Sequence, residues 1–365
     1  MSLLYRFAAA SACAFLLSGP AVTQQQTQAP KPETPTISVT RTEVLVPVTV
    51  KDDRGKFVTD LTARDFRILD EGHPQRIEFF SHAERQPIVV GFLLDLSNAN
   101  KIHWKRFQDA TKELVWNLLP GDKRYSGYLI TYSNDAQVAV NTTWDADKIT
   151  SRIDKVKPGG GAALYDAIYK ACTTRELVKG EPYEPRRIII VIGDGNDNAS
   201  SKTLNQVIEL AQRSQATIYG VSTMAFGFAN ESKDNLERLA NETGGHVEYP
   251  LNENLYKDTA GYLSNPQDAG NYALTVGTGA YEAAILKRII ESVAALSGEI
   301  TTQYVLRYVP DLDPDDKPRA FRKIKVEIPS LPNVKMHHRP GYWAGAVPGA
   351  PAAATAGSSG QEAGR

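Results

Sequence analysis

Two short stretches of this sequence carry oxygen-bearing side chains at spacings that can do chemistry. Asp95, Ser97, Asn98 and Asn100 come directly after the charge-free run Ile88 to Leu94. Asp194-Gly195-Asn196-Asp197-Asn198 follows a second apolar run, Ile188 to Ile192. Two carboxylates and a hydroxyl suit a hard divalent cation such as magnesium, which takes oxygen ligands in near-octahedral array and keeps several waters. So few protein ligands leave the ion with residual positive charge, free to take a further carboxylate from a partner. Without a metal, Asp95 and Asp194 would be loop carboxylates held by backbone amides and helix starts.

Other chemistries find little support. There is no Gly-x-Ser-x-Gly elbow and no His-Glu-x-x-His. Asp95-Leu96-Ser97 lacks the second aspartate of an aspartyl-phosphate hydrolase loop. Gly159-Gly160-Gly161 precedes a helix and could cradle a phosphate, but the Lys-Ser/Thr of a P-loop is missing, so it reads as a loop hinge. The six histidines, His73, His82, His103, His246, His337 and His338, show no ligand spacing, and the pair at His337-His338 reads as surface. The formal net charge of -1 gives no reason to expect nucleic acid or an anionic membrane as partner.

The elements that must position the two acidic loops are strands and helices in alternation. An uninterrupted apolar run implies a strand buried on both faces, as in a parallel sheet. Strands are expected at Ile88 to Leu94, Tyr125 to Tyr132, Gln137 to Val140, Arg187 to Ile192, Thr217 to Val221 and Val247 to Tyr249. Helices are expected at Lys101 to Leu119, Ala146 to Val156, Ala162 to Val178, Ser201 to Ser214, Asp234 to Glu242 and Ala280 to Leu296. This alternation predicts an α/β fold, a doubly wound and mostly parallel sheet covered on both faces. Ligands of such sheets bind at the carboxyl ends of the strands.

The two ends of the chain are different. Val44, Val46, Val48 and Val50 alternate with mostly polar residues, and two further strands are expected at Phe66 to Leu69 and Ile77 to Phe80, joined near Glu71-Gly72. Thr62 to Asp65 has capping-box spacing. Alternation returns at Gln303 to Val309, Phe321 to Ile328 and Val334 to His338. The strands of both ends are expected to join in a small β-sandwich, spanning 37–86 and 299–343, with the α/β domain of 87–298 inserted. The polar stretch from Leu251 to Thr278 fits no element and is expected to line or cover the acidic face.

Arg6 precedes the apolar run FAAASACAFLLSG and then Pro20-Ala21, the pattern of a secretory signal peptide cut after about Ala21. The run is short for a membrane span. A proline-rich linker is expected over 22–36 and a disordered Ala/Gly/Pro/Ser-rich tail over 344–365. Past the signal, Cys172 is the sole cysteine and reads as a small buried side chain rather than half of a disulfide.

Three segments, VVGFLLDLSNA, GGGAALYDAI and IIIVIGDGNDN, together resemble the von Willebrand factor type A domain in order and spacing. With VPVTVKDDRGKFVTDLTARDFRILDEGHPQRIEFF upstream and LANETGGHVEYP, QYVLRYVP and RKIKVEIP downstream, the chain is similar to a group of secreted bacterial proteins related to that domain. The resemblance implies a metal-ion-dependent adhesion site, with Asp95, Ser97 and Asp194 as metal ligands. Ala99 and Ala162 stand where the family has a serine and a threonine, so two ligand oxygens are replaced by methyl groups. Water could fill those places, or Asn98, Asn100 or Asp197 could supply an oxygen. The expected function is that of an exported, non-enzymatic protein, secreted or periplasmic and without a transmembrane helix in its mature form. It would bind a protein partner or mediate adhesion through this degenerate site, with Asn98, Asn100, Gly161, Asn196 and Asp197 on the partner face. The alternatives are a metal-dependent hydrolase using the same carboxylates and an architectural cell-envelope protein.

Overall fold

Strand β5, Ile88–Asp95, is buried at every position. That follows from its neighbours. In the computed structural model, which describes residues 43–82, 86–101, 103–178, 185–224, 231–251, 279–311 and 321–344, β5 pairs in parallel with β6, Tyr125–Tyr132, on one side. On the other side it pairs in parallel with β8, Arg186–Gly193. Beyond β8 lie β9, Thr217–Ser222, and β10, Val247–Glu248, both parallel. The far edge is β7, Ala136–Thr143, antiparallel to β6. The strand order is therefore β10-β9-β8-β5-β6-β7.

Alternate side chains of β5 serve opposite faces, as the pleat requires. Val90, Phe92 and Leu94 join one core with Leu114 and Leu118 of α1, Trp104–Leu118. Ile149 and Ile153 of α2, Ala146–Ile153, close the same core, as do Ile289 and Val293 of α6, Gly279–Thr302. Val89 and Leu93 join the other core. There they meet Ile168 of α3, Leu164–Thr173, Val207 of α4, Leu204–Arg213, and Leu236 of α5, Glu231–Asn241. Cys172 is buried in this second core, and burial raises its thiol pKa.

Some expected helices start later than their periodicity suggests. α1 begins at Trp104, after a 3-10 turn over Asn98–Lys101. α3 begins at Leu164, because the carbonyl of Ala162 is taken by the amides of Asn198 and Ala199 and cannot start a helix. The expected helix to Val178 ends at Thr173 and gives way to a 3-10 turn over Arg175–Val178.

The two chain ends form two antiparallel sheets. One has the order β13-β1-β11-β4 and the other β14-β12-β2-β3. The first contains β1, Val44–Lys51, β4, Phe79–His82, β11, Tyr304–Tyr308, and β13, Lys335–His338. The second contains β2, Arg67–Asp70, β3, His73–Gln75, β12, Phe321–Glu327, and β14, Gly341–Trp343. A single core of valines, tyrosines and isoleucines lies between them. The expected pairing across Glu71-Gly72 is corrected here. Both residues have positive φ, 49° and 84°, which makes the tight two-residue turn of a hairpin. That turn returns the chain as β3, and β4 crosses to the other sheet. The expected signal, linker, tail and long polar stretch lie outside the described residues, apart from Leu251 and Ala344. Among the described residues no helix is long and apolar enough to cross a membrane.

Polar bonds fasten the sandwich to the α/β sheet. The buried guanidinium of Arg186 donates to Gln303 Oε1 at 2.5 Å and to the Ile300 carbonyl at 2.9 Å. Gln303 Nε2 in turn donates to Tyr219 at 2.6 Å and Thr49 at 3.2 Å. Within the sandwich, Asp70 is fully buried and accepts from Tyr308 at 3.0 Å, Tyr342 at 2.8 Å and Arg322 Nε at 2.9 Å. These groups come from both sheets, so Asp70 pins one to the other. Replacing Asp70 by alanine leaves two hydroxyls and a guanidinium without their acceptor and is expected to cost about 3–5 kcal/mol. A urea-unfolding midpoint unchanged from the parent would contradict this.

Candidate functional site

The chain leaves β5 toward α1 on one face and leaves β8 toward α4 on the other. Neighbouring strands with diverging connections open a crevice at their carboxyl ends. Leu94 stands opposite Ile192, so Asp95 and Asp194 emerge at the same rim. Asp95 is 1% exposed. Its Oδ1 accepts the amide N–H of Ser97 at 2.7 Å, and Asn100 Nδ2 reaches the Asp95 carbonyl at 3.4 Å. Asp194 Oδ1 accepts the amide of Asn196 at 2.9 Å. Two glycines make room. A Cβ on Gly193 would lie 2.5 Å from the Tyr132 hydroxyl and 2.9 Å from Asp95 Oδ2. Gly195 has φ +83°, and a Cβ there would strike the Ser232 carbonyl.

Sequence reading missed two residues here. Tyr132 ends β6 in register with Asp95, and Thr223 follows β9 with its amide on the Gly193 carbonyl at 3.1 Å. Only their place at a strand end beside an acidic loop could have flagged them. Asp95 Oδ2, Ser97 Oγ, Tyr132 OH and Thr223 Oγ1 are all buried without a hydrogen-bond partner among the described residues. A buried polar atom left unpaired costs about 1–3 kcal/mol, and here such atoms gather at one end of the sheet.

The expected ligands and contact residues fall into two groups. Asp95, Ser97 and Asp194 are brought together, with Asn98 exposed and Gly161 and Asn196 half-buried beside them. Asn100, expected on the partner face, is 6% exposed and braces the loop instead. Asp197 is committed to the fold. Its Oδ2 accepts the Tyr165 amide at 2.8 Å and the Ser200 hydroxyl at 2.5 Å, so it caps α3. Asn198 Oδ1 takes the Ala162 amide at 2.8 Å, and Asn134 Oδ1 takes the Gly161 amide at 2.7 Å. The glycine loop is thereby fixed as a wall of the crevice rather than a loose hinge. Ala162 is fully buried and Ala99 exposed, and neither side chain offers an oxygen.

The donor set fits a hard divalent cation. Asp95, Ser97 and Asp194 would hold it, with Tyr132 as a further neutral oxygen and water in the places left by Ala99 and Ala162. The electrostatics agree. Burial, with the Asp194 charge beside it, pushes Asp95 up to about 7 although the Ser97 amide pulls the other way. Burial also raises Asp194. Burial raises Tyr132 strongly, and the charges of Asp95, Asp194 and Asp197 add to it. A cation would reverse each of these shifts.

The sign of the resulting pH dependence is fixed. A carboxyl raised from 3.8 to about 7 holds its proton more tightly when folded. Its contribution to stability is full below the unfolded value and is lost as pH rises toward 7. In chelator-treated protein, Asp95→Asn is expected to be more stable than the parent at about pH 8, by on the order of 2 kcal/mol, with the gap closing below about pH 4. Thermal melts across that range check it, and a pH-independent gap would contradict it.

The family model for the von Willebrand factor type A domain matches residues 90–259. Among solved structures, the chain is similar to the conserved hypothetical protein BatB from Bacteroides thetaiotaomicron, with 16% identity and a TM-score of 0.35, over 57% of this chain and 99% of that one. It is similar to a von Willebrand factor type A protein from Catenulispora acidiphila, with 11% identity and a TM-score of 0.40, over 77% and 72%. It is also similar to the SpRpn10 VWA domain, with 18% identity and a TM-score of 0.35, over 44% and 85%. No curated protein matches the chain. The von Willebrand factor type A match falls on the six-stranded sheet and its flanking helices, and the two antiparallel sheets built from the chain ends lie outside it.

Proposed function

We propose that this is an exported, non-enzymatic protein that holds a protein partner at the Asp95–Asp194 rim through a divalent cation. Domains of this family are generally interaction modules. The observation that carries the reading is the gathering of buried, unpartnered oxygens at that rim, with Asp95 raised to about 7. A bound magnesium ion supplies the positive charge that these oxygens lack and an open coordination position for an incoming carboxylate. Asp95 and Ser97 would anchor it from β5, and Asp194 from β8. The exposed side chain of Asn98 and the half-buried Asn196 would frame the partner's acidic group. Export is supported by Arg6 and the apolar run that follows it, ending near Ala21.

Millimolar magnesium is expected to raise the melting temperature of the parent near neutral pH and to leave Asp95→Asn unchanged. Titration calorimetry gives the same contrast as binding heat. Absence of both effects with magnesium, manganese and calcium alike would contradict a metal-dependent rim. Partner capture on the immobilised chain tests the second half. A specific partner is expected to elute with chelator and to be lost with Asp194→Ala, and a partner indifferent to both would move the interaction surface elsewhere.

A further inference from the structure

Two of the histidines that look scattered in the sequence meet in space. His246 lies just before β10, Glu299 in the last turns of α6, and His337 in β13 of the sandwich. Their ligand atoms all fall within 4.8 Å of one another. His246 Nδ1 is 3.1 Å from Glu299 Oε1, and His337 Nδ1 is 3.7 Å from the same oxygen. Donors around a tetrahedral zinc ion with bonds near 2.0–2.1 Å stand about 3.3 Å apart. These two spacings bracket that value.

We propose that His246, Glu299 and His337 form a binding site for a divalent transition-metal ion, separate from the acidic rim. The outer partners are already those of a metal centre. His246 turns its other nitrogen, Nε2, to Glu248 Oε1 at 2.9 Å, the carboxylate contact that fixes the ring orientation of a ligating imidazole. Glu299 is fully buried, and Lys51 holds its Oε2 at 2.8 Å, which leaves Oε1 turned toward the two imidazoles. Two imidazoles and one carboxylate suit zinc and similar ions and do not suit magnesium. The His337 side chain is 43% exposed, which gives the ion a way in and leaves a position for water. Since His337 belongs to the sandwich and the other two ligands to the α/β part, the ion would clamp one to the other.

In the metal-free state His246 lies between two carboxylates, Glu299 on its Nδ1 side and Glu248 on its Nε2 side.

The test uses the full mature chain and zinc itself. One zinc per chain beyond any held at the rim is expected to remain after equilibrium dialysis, and it is the one that His337→Ala loses. His337→Ala, at a half-exposed position, is expected to keep its melting profile and lose more than roughly tenfold in zinc affinity. Glu248→Gln is expected to weaken binding by roughly 10–100-fold. Cobalt substitution should give a visible absorption band that His337→Ala abolishes. No saturable zinc uptake, or equal uptake by His337→Ala, would overturn the proposal and leave the cluster as an ion-paired joint.

Discussion

A carboxylate buried at the end of a fully buried strand is the constraint from which the rest of this structure can be understood. Asp95 is 1% exposed, and its Oδ2 has no hydrogen-bond partner among the described residues. The sheet could have avoided this. An asparagine at the end of β5 could keep an acceptor for the Ser97 amide and would spare the protein an acid raised to about 7. Proteins that keep such a group at a strand end usually keep it for a ligand. The surroundings are built in the same sense. Gly193 lets Asp95 and Tyr132 come close, and Asn134, Asp197 and Asn198 spend their side chains on fixing the loops around the crevice.

The second theme is a frame. Chain segments from both ends close a sandwich, and α6 runs into β11 with only Gln303 between them. Gln303 touches β1 through Thr49, β9 through Tyr219 and β8 through Arg186. The same junction holds Lys51, Glu299, His246 and His337.

Much of this was legible from sequence, for reasons that differ by element. The runs at Ile88 and Ile188 have no charge for a whole strand, and only a strand covered on both faces needs that. The acidic residues at their ends then had to share a rim. Strand ends were less legible. Glu71-Gly72 marks the turn, but nothing local marks the short return as β3 or the crossing of β4 to the other sheet. Tyr132 and Thr223 escaped because each is an ordinary strand-end residue until β5 and β8 are placed beside it. Asn100 and Asp197 were assigned outward roles from polarity alone, whereas both spend hydrogen bonds inward. The His246–Glu299–His337 cluster was invisible because its members come from separate parts of the chain, and only the sandwich closing onto α6 brings them within reach.

The most direct measurement of the central claim is the titration of the Asp95 side-chain carboxyl by carbon-detected NMR, with and without magnesium. The account requires a midpoint near 7 in the metal-free protein and a large fall when magnesium is added. A midpoint at the ordinary aspartate value of 3.8 under both conditions would contradict it, since the rim would then hold its carboxylate without any need of a cation.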